Sequence, residues 1–219
     1  MTIATGAAAG TRTVRSATAW TAFLVVLAVG HHLGSLLSPL GEVGDAQWAD
    51  WIDLLLPYAV VATAGTALLA VPRGPRIAGA AGLVLYVQGH GIHLAANSIA
   101  QRDPGDTAFL WDELVGHAVW FTGLYLVIGA LLVGRAVQEG PGPLRLLLSV
   151  AVGVTLCSNA IGGHAVPLAV GASSALALLA ARRRTGAGVD VLVAAVVALV
   201  ALAVYGLAGV LLDVSVDHT

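Results

Sequence analysis

Seven histidines are spread over 219 residues, and all except His218 lie in or beside long apolar stretches. An ionisable side chain is costly to desolvate in such a setting and marks a functional position. His31 and His32 fall in VGHHLGSLLS, His90 and His93 in QGHGIHLAANS, Glu113 and His117 in WDELVGH, and His164 follows a Gly-Gly pair. Neutral imidazoles gathered beside a carboxylate in a low-dielectric layer make a nitrogen-rich site for zinc, iron, manganese or copper(II). His31, His90, His93 and His117 are therefore expected as metal ligands. Glu113 is expected as the catalytic carboxylate, a ligand or a general base that activates water. His32, His164, Asp112, Asn97, Ser35 and Asn159 are expected as further ligands or as groups that orient the ligands.

The spacing supports one shared site. Residues three, four or seven apart lie on one side of a helix, so His90, His93 and Asn97 form one stripe, Glu113 and His117 a second, and His31 joins Ser35 and Ser38 in a third. His31 and His32 stand about 100° apart around a helix, so one of them faces the site, and His31 shares its side with the serines. At 1.5 Å per residue, His31, His32, His90, His93 and His117 all fall roughly 10–15 Å below the same ends of their helices. A single buried histidine is most simply a packing residue, and polar side chains do join membrane helices. Five at one depth on three helices exceed that explanation. Trp120, Phe121 and Cys157 are read as packing residues.

The elements that must position these groups follow from composition. Hydrophobic residues make up 58% of the chain and charged residues 10%, against roughly a quarter charged in a soluble domain, and mean hydropathy is +0.90. A soluble core of this size could not hide so much apolar surface. Seven stretches of about the length needed to cross the hydrocarbon core occur near 17–38, 53–71, 77–99, 112–134, 144–162, 165–181 and 189–211. The turn between the fifth and sixth is placed at Gly162-Gly163, because an unbroken helix over 144–181 would be about twice the needed length. The expected fold is an all-α polytopic membrane bundle of seven helices. Residues 1–16 are expected as a disordered cytoplasmic segment, 17–211 as one transmembrane domain and 212–219 as a short outer tail. Arg12, Arg15, Arg73, Arg76, Arg135, Arg145 and Arg182 to Arg184 fall on one side of this topology and most carboxylates on the other. Positive charge is retained in the cytoplasm, so the amino terminus is expected inside and the carboxyl terminus outside, in a plasma (inner) membrane. Arg12 and Arg15 before Ala19 to Gly30 also have the form of a secretory signal, but apolar sequence resumes at Leu33 to Leu40, as a full span requires.

Composition also excludes functions. All ten Lys+Arg residues are arginine, which rules out a Schiff base with retinal or pyridoxal phosphate. One cysteine and one methionine rule out disulfide frameworks, iron–sulfur clusters and thiolate copper(I) sites. A net charge of −2 without a basic patch argues against nucleic acid. Seven spans, an inside amino terminus and a His/acid/Ser set are similar in architecture to the alkaline ceramidase and adiponectin-receptor superfamily of zinc hydrolases. That superfamily's histidine pair lies on its last helix, where this chain has Tyr205 and no histidine, so no residue roles are carried over. Histidine-box desaturases and hydroxylases are similar in histidine content, but the HGIH here lacks their box spacing.

The expectation is an integral membrane metalloprotein with an outer-leaflet histidine site, acting as an enzyme on a membrane lipid or another apolar small molecule. Hydrolysis is preferred to oxidation, because Asp112 and Glu113 are fewer carboxylates than a di-iron bundle uses. The alternatives are a divalent-metal transporter or sensor and a haem-binding or quinone-linked redox protein. Transport requires polar groups that continue to the inner face, where the helices are nearly all Leu, Val and Ala. No protein partner is read from the chain.

Overall fold

A computed structural model describes residues 4–44, 46–183 and 186–211, without the side chains at 4–14, 35, 38, 210 and 211. The expected outer tail, His218 and the Ser35 side chain lie outside the described residues. The chain is an all-α bundle: α1 Ala4–Leu37, α2 Trp48–Leu68, α3 Arg73–Ala100, α4 Asp106–Phe109, α5 His117–Val133, α6 Pro143–Gly162, α7 Val166–Arg182 and α8 Gly186–Leu211. A π-helical turn, Leu110–Gly116, joins α4 to α5, so that Asp106–Val133 runs as one 28-residue helix. Among the described residues, five helical segments are long and apolar enough to cross a membrane: Arg15–Gly34, Trp48–Leu68, Asp106–Val133, Pro143–Gly162 and Gly186–Gly209. The 28 residues of α3 are long enough but include Arg73, Arg76, Gln88, His90, His93 and Asn97, and α7 is shorter at 17 residues.

The seven stretches read from hydropathy match seven helical rods. The break in 144–181 falls at Gly163 and His164, where His164 adopts φ 46°, a left-handed conformation that ends a helix. Helix α1 begins at Ala4, upstream of the expected start at 17. A two-residue antiparallel hairpin, Glu42–Val43 with Ala46–Gln47, connects α1 to α2. Helix α2 opens with a carboxylate in its first turn, Asp50, which accepts the Gln47 backbone N–H at 2.8 Å. That bond satisfies a donor left unpaired at a helix start.

Helices α3 and α5 approach most closely, because glycines replace side chains where they meet. A Cβ on Gly89 would overlap the Trp120 backbone, one on Gly123 would overlap the Tyr86 backbone, and one on Gly116 would lie 3.0 Å from the His93 nitrogen. Gly82 and Gly89, like Gly116 and Gly123, are seven residues apart and so share a helix face. Small residues of this kind let helix backbones come into contact, and here the contact brings His93 beside His117.

The opposite end of the bundle carries Arg73, Arg76, Arg145 and Arg182, and it is fastened by a buried ion pair. Asp190 of α8 accepts hydrogen bonds from Trp20 Nε1 of α1 at 2.7 Å and from Arg145 Nε of α6 at 3.0 Å, with Arg145 Nη2 on the same oxygen. Asp190 is 1% exposed and Arg145 9%. Three helices are thus tied through one carboxylate oxygen.

Candidate metal centre

His93 of α3, Asp112 of the π-helical turn and His117 of α5 each offer a ligand atom, and these atoms lie within 4.8 Å of one another. The π-helical turn makes this possible. In an α-helix, residues five apart diverge by about 140° around the axis, whereas a π-helix closes its hydrogen bonds from i to i+5 and brings such residues into line. His117 Nδ1–H donates to the Asp112 carbonyl oxygen at 3.0 Å, which fixes the imidazole above Asp112. His93 Nδ1 and Asp112 Oδ1 form an ion pair 2.5 Å apart, and no third group bonds either atom. The two buried atoms thus satisfy each other, as buried polar groups normally do.

Glu113 lies at the rim. Its Oε2 is 3.6 Å from His117 Nδ1 and its side chain is 24% exposed, and Oε2 makes no hydrogen bond. Asp112, expected as a further ligand or an orienting group, stands with the two histidines.

His31 and His90 are gathered nearby in a different arrangement. The Tyr86 hydroxyl lies 3.2 Å from His31 Nε2 and 3.1 Å from His90 Nε2, so one phenol bridges both imidazoles. Their rings stack with centroids 5.6 Å apart and planes 18° from parallel. Faces, not nitrogens, oppose each other, so the pair as it stands does not offer two axial ligands to a haem iron. The structure therefore divides the four histidines expected as ligands into a pair with Asp112 and a pair with Tyr86. Trp120 separates the two, with ring centroids 4.9 Å from His31, 4.0 Å from His90, 5.9 Å from His93 and 5.3 Å from His117.

The other expected residues are dispersed. His32 reaches the Thr155 hydroxyl of α6 at 3.0 Å, so α1 uses its adjacent histidines on two neighbours. His164 is exposed and meets the Phe109 ring at 5.6 Å. Asn97 and Asn159 serve helix ends through their carbonyls, which accept the N–H groups of Gln101 and Gly163.

Tyr86, not among the expected site residues, and Trp120, expected as a packing residue, are central to the arrangement. Tyr86 carries a legible signal, four residues before His90 on the same stripe. Asp53 of α2 is a further carboxylate close enough to His93 for their charges to interact.

The donor set fits a metal ion in kind: two imidazoles and one carboxylate, with no thiolate, are the ligands of catalytic rather than closed structural zinc sites. Ligands held at zinc bond lengths in a tetrahedron stand about 3.3 Å apart. His93 and Asp112 are closer than this at 2.5 Å, so binding an ion requires their side chains to part slightly. No known protein family, curated protein or solved structure matches the chain.

Proposed function

We propose that the protein is a multi-pass membrane metalloenzyme in which His93, Asp112 and His117 hold one divalent ion and Glu113 acts as general base. The observation that carries this reading is the convergence of His93, Asp112 and His117, whose ligand atoms lie within 4.8 Å of one another on three neighbouring helical segments. In the proposed orientation the arginine-rich end faces the cytoplasm and the site lies in the outer leaflet of the plasma membrane.

A bound ion would supply Lewis-acid polarisation of a carbonyl or phosphoryl oxygen. Glu113 then takes the proton of the attacking water, and the Asp112 carbonyl keeps the His117 ring oriented. Trp120 and Phe121 form the apolar floor that excludes bulk water. Hydrolysis of an ester or amide near a lipid headgroup suits this set, since it needs the base that Glu113 provides. A second reading is supported by the ligand types, because two histidines and one carboxylate also make the facial set of non-haem iron oxygenases.

Protein purified without a histidine tag, placed in nanodiscs of natural membrane lipid, stripped with chelator and reloaded with zinc or iron(II), tests the choice by mass spectrometry of the lipids. Zinc-dependent addition of water across a lipid bond, lost in Glu113→Gln with metal retained, is the expected result. Iron- and dioxygen-dependent gain of an oxygen atom supports the second reading. Unchanged lipids with either metal overturn the enzyme reading.

A further inference from the structure

Helices α2 and α3 part at the histidine end to leave a narrow groove. Its walls are apolar, with Leu54, Pro57, Val87 and Leu94, and its mouth is flanked by Leu54 at 42% and Tyr58 at 61% exposure. The opening therefore lies on the outer surface of the bundle, where acyl chains would lie. At the floor is His90, 2% exposed, with Nε2 turned to Tyr86 and Nδ1 left without a partner. Among the lining residues the one charge is Asp53. A buried polar atom without a partner, with a carboxylate on the same groove, defines an incomplete polar site.

We infer that this groove takes a single-chain amphiphile with a protonated amine head, the chain lying along Leu54, Pro57 and Val87 and the head between Asp53 and His90. The inference rests on the reading of the protein as a membrane enzyme, for which it names the substrate class. The carboxylate attracts an ammonium group and repels fatty acids and phosphates. The groove is one turn of α3 from His93, so a molecule seated there has its polar end next to the candidate metal centre. Gly91 borders the groove, and a Cβ on it would meet nothing. Length and polarity of the occupant are thus set by α2 and α3 alone.

The test is photolabelling in nanodiscs with a long-chain alkylamine bearing a diazirine on its chain, and with the matching fatty acid, followed by peptide mapping. The amine is expected to label Leu54, Val87 and Leu94 in preference to lipid-facing positions such as Leu178 and Val200. Asp53→Asn is expected to lower that preference about fivefold, as for loss of one partly exposed ion pair, and Gly91→Phe to abolish it by filling the groove. Equal labelling of groove and lipid-facing helix surfaces, or a preference unaffected by Asp53→Asn, overturns the inference. Repeating the labelling on chelator-treated Asp112→Ala protein separates the two claims, because the groove does not include the metal ligands. Retained labelling there supports the groove whatever the metal analysis shows.

Discussion

The Asp112 carbonyl oxygen accepts the Nδ1–H of His117, five residues further along the chain, at 3.0 Å. This bond spans the π-helical turn Leu110–Gly116, and it holds the carboxylate of Asp112 on the same side of the rod as His117. Removing one residue from the turn is expected to restore α-helical register and rotate Asp112 away. Deletion of Leu114, which is 45% exposed, should keep the helical circular-dichroism signal and weaken metal binding by about 10–100-fold, the range seen when ligand support is lost. Undiminished metal binding in the deletion variant would show that the turn does not build the site.

Tyr86 supplies one hydroxyl to two buried imidazoles. Tyr86→Phe leaves nitrogens of His31 and His90 without that partner, a loss of about 1–3 kcal/mol for a buried unsatisfied group. The thermal midpoint in detergent should fall while metal content stays at the wild-type level. A fall in metal content with an unchanged midpoint would place Tyr86 in the metal site instead.

Breaking the pair at the other end should be more damaging. Arg145→Ala leaves the buried Asp190 carboxylate with only Trp20 Nε1 on its bonded oxygen, and such a loss costs about 3–5 kcal/mol. Low yield and early unfolding are expected, with Arg145→Met/Asp190→Leu recovering much of the stability. If the double variant is no better than Arg145→Ala, the pair has a role beyond holding α1, α6 and α8 together.

Two glycines on α3 make opposite predictions. A Cβ at Gly89 overlaps the Trp120 backbone while one at Gly91 meets nothing. Gly89→Ala should destabilise by about 1–3 kcal/mol through overpacking, and Gly91→Ala should be neutral or stabilise by up to about 1 kcal/mol through helix propensity. Similar unfolding midpoints for the two variants would contradict the close α3–α5 contact.

Hydropathy and the Gly162-Gly163 break were enough to read the helical rods, because lipid-length apolar runs carry that information locally. That His31, His90, His93 and His117 gather in one region was legible too, because rise per residue is uniform. Which histidines share a centre was not, since it depends on how rods rotate and cross. An α-helical register pairs Glu113 with His117, as the structure does at 3.6 Å, and turns Asp112 away, whereas the π-helical turn brings Asp112 to His117 as well. His31 and His90 match His93 and His117 in depth, but the Trp120 indole stands between the pairs. The Arg145–Asp190 pair joins residues 45 apart and has no local signature.

The central claim is that His93, Asp112 and His117, and not His31 and His90, hold a metal ion. Elemental analysis of untagged protein, after dialysis against a weak chelator, measures this directly across the five single alanine variants. The account predicts about one equivalent of a divalent transition metal in wild type, His31→Ala and His90→Ala, and its loss in His93→Ala, Asp112→Ala and His117→Ala. Folded wild-type protein that takes up no metal, or loss of metal in His31→Ala and His90→Ala with retention in Asp112→Ala, would contradict it.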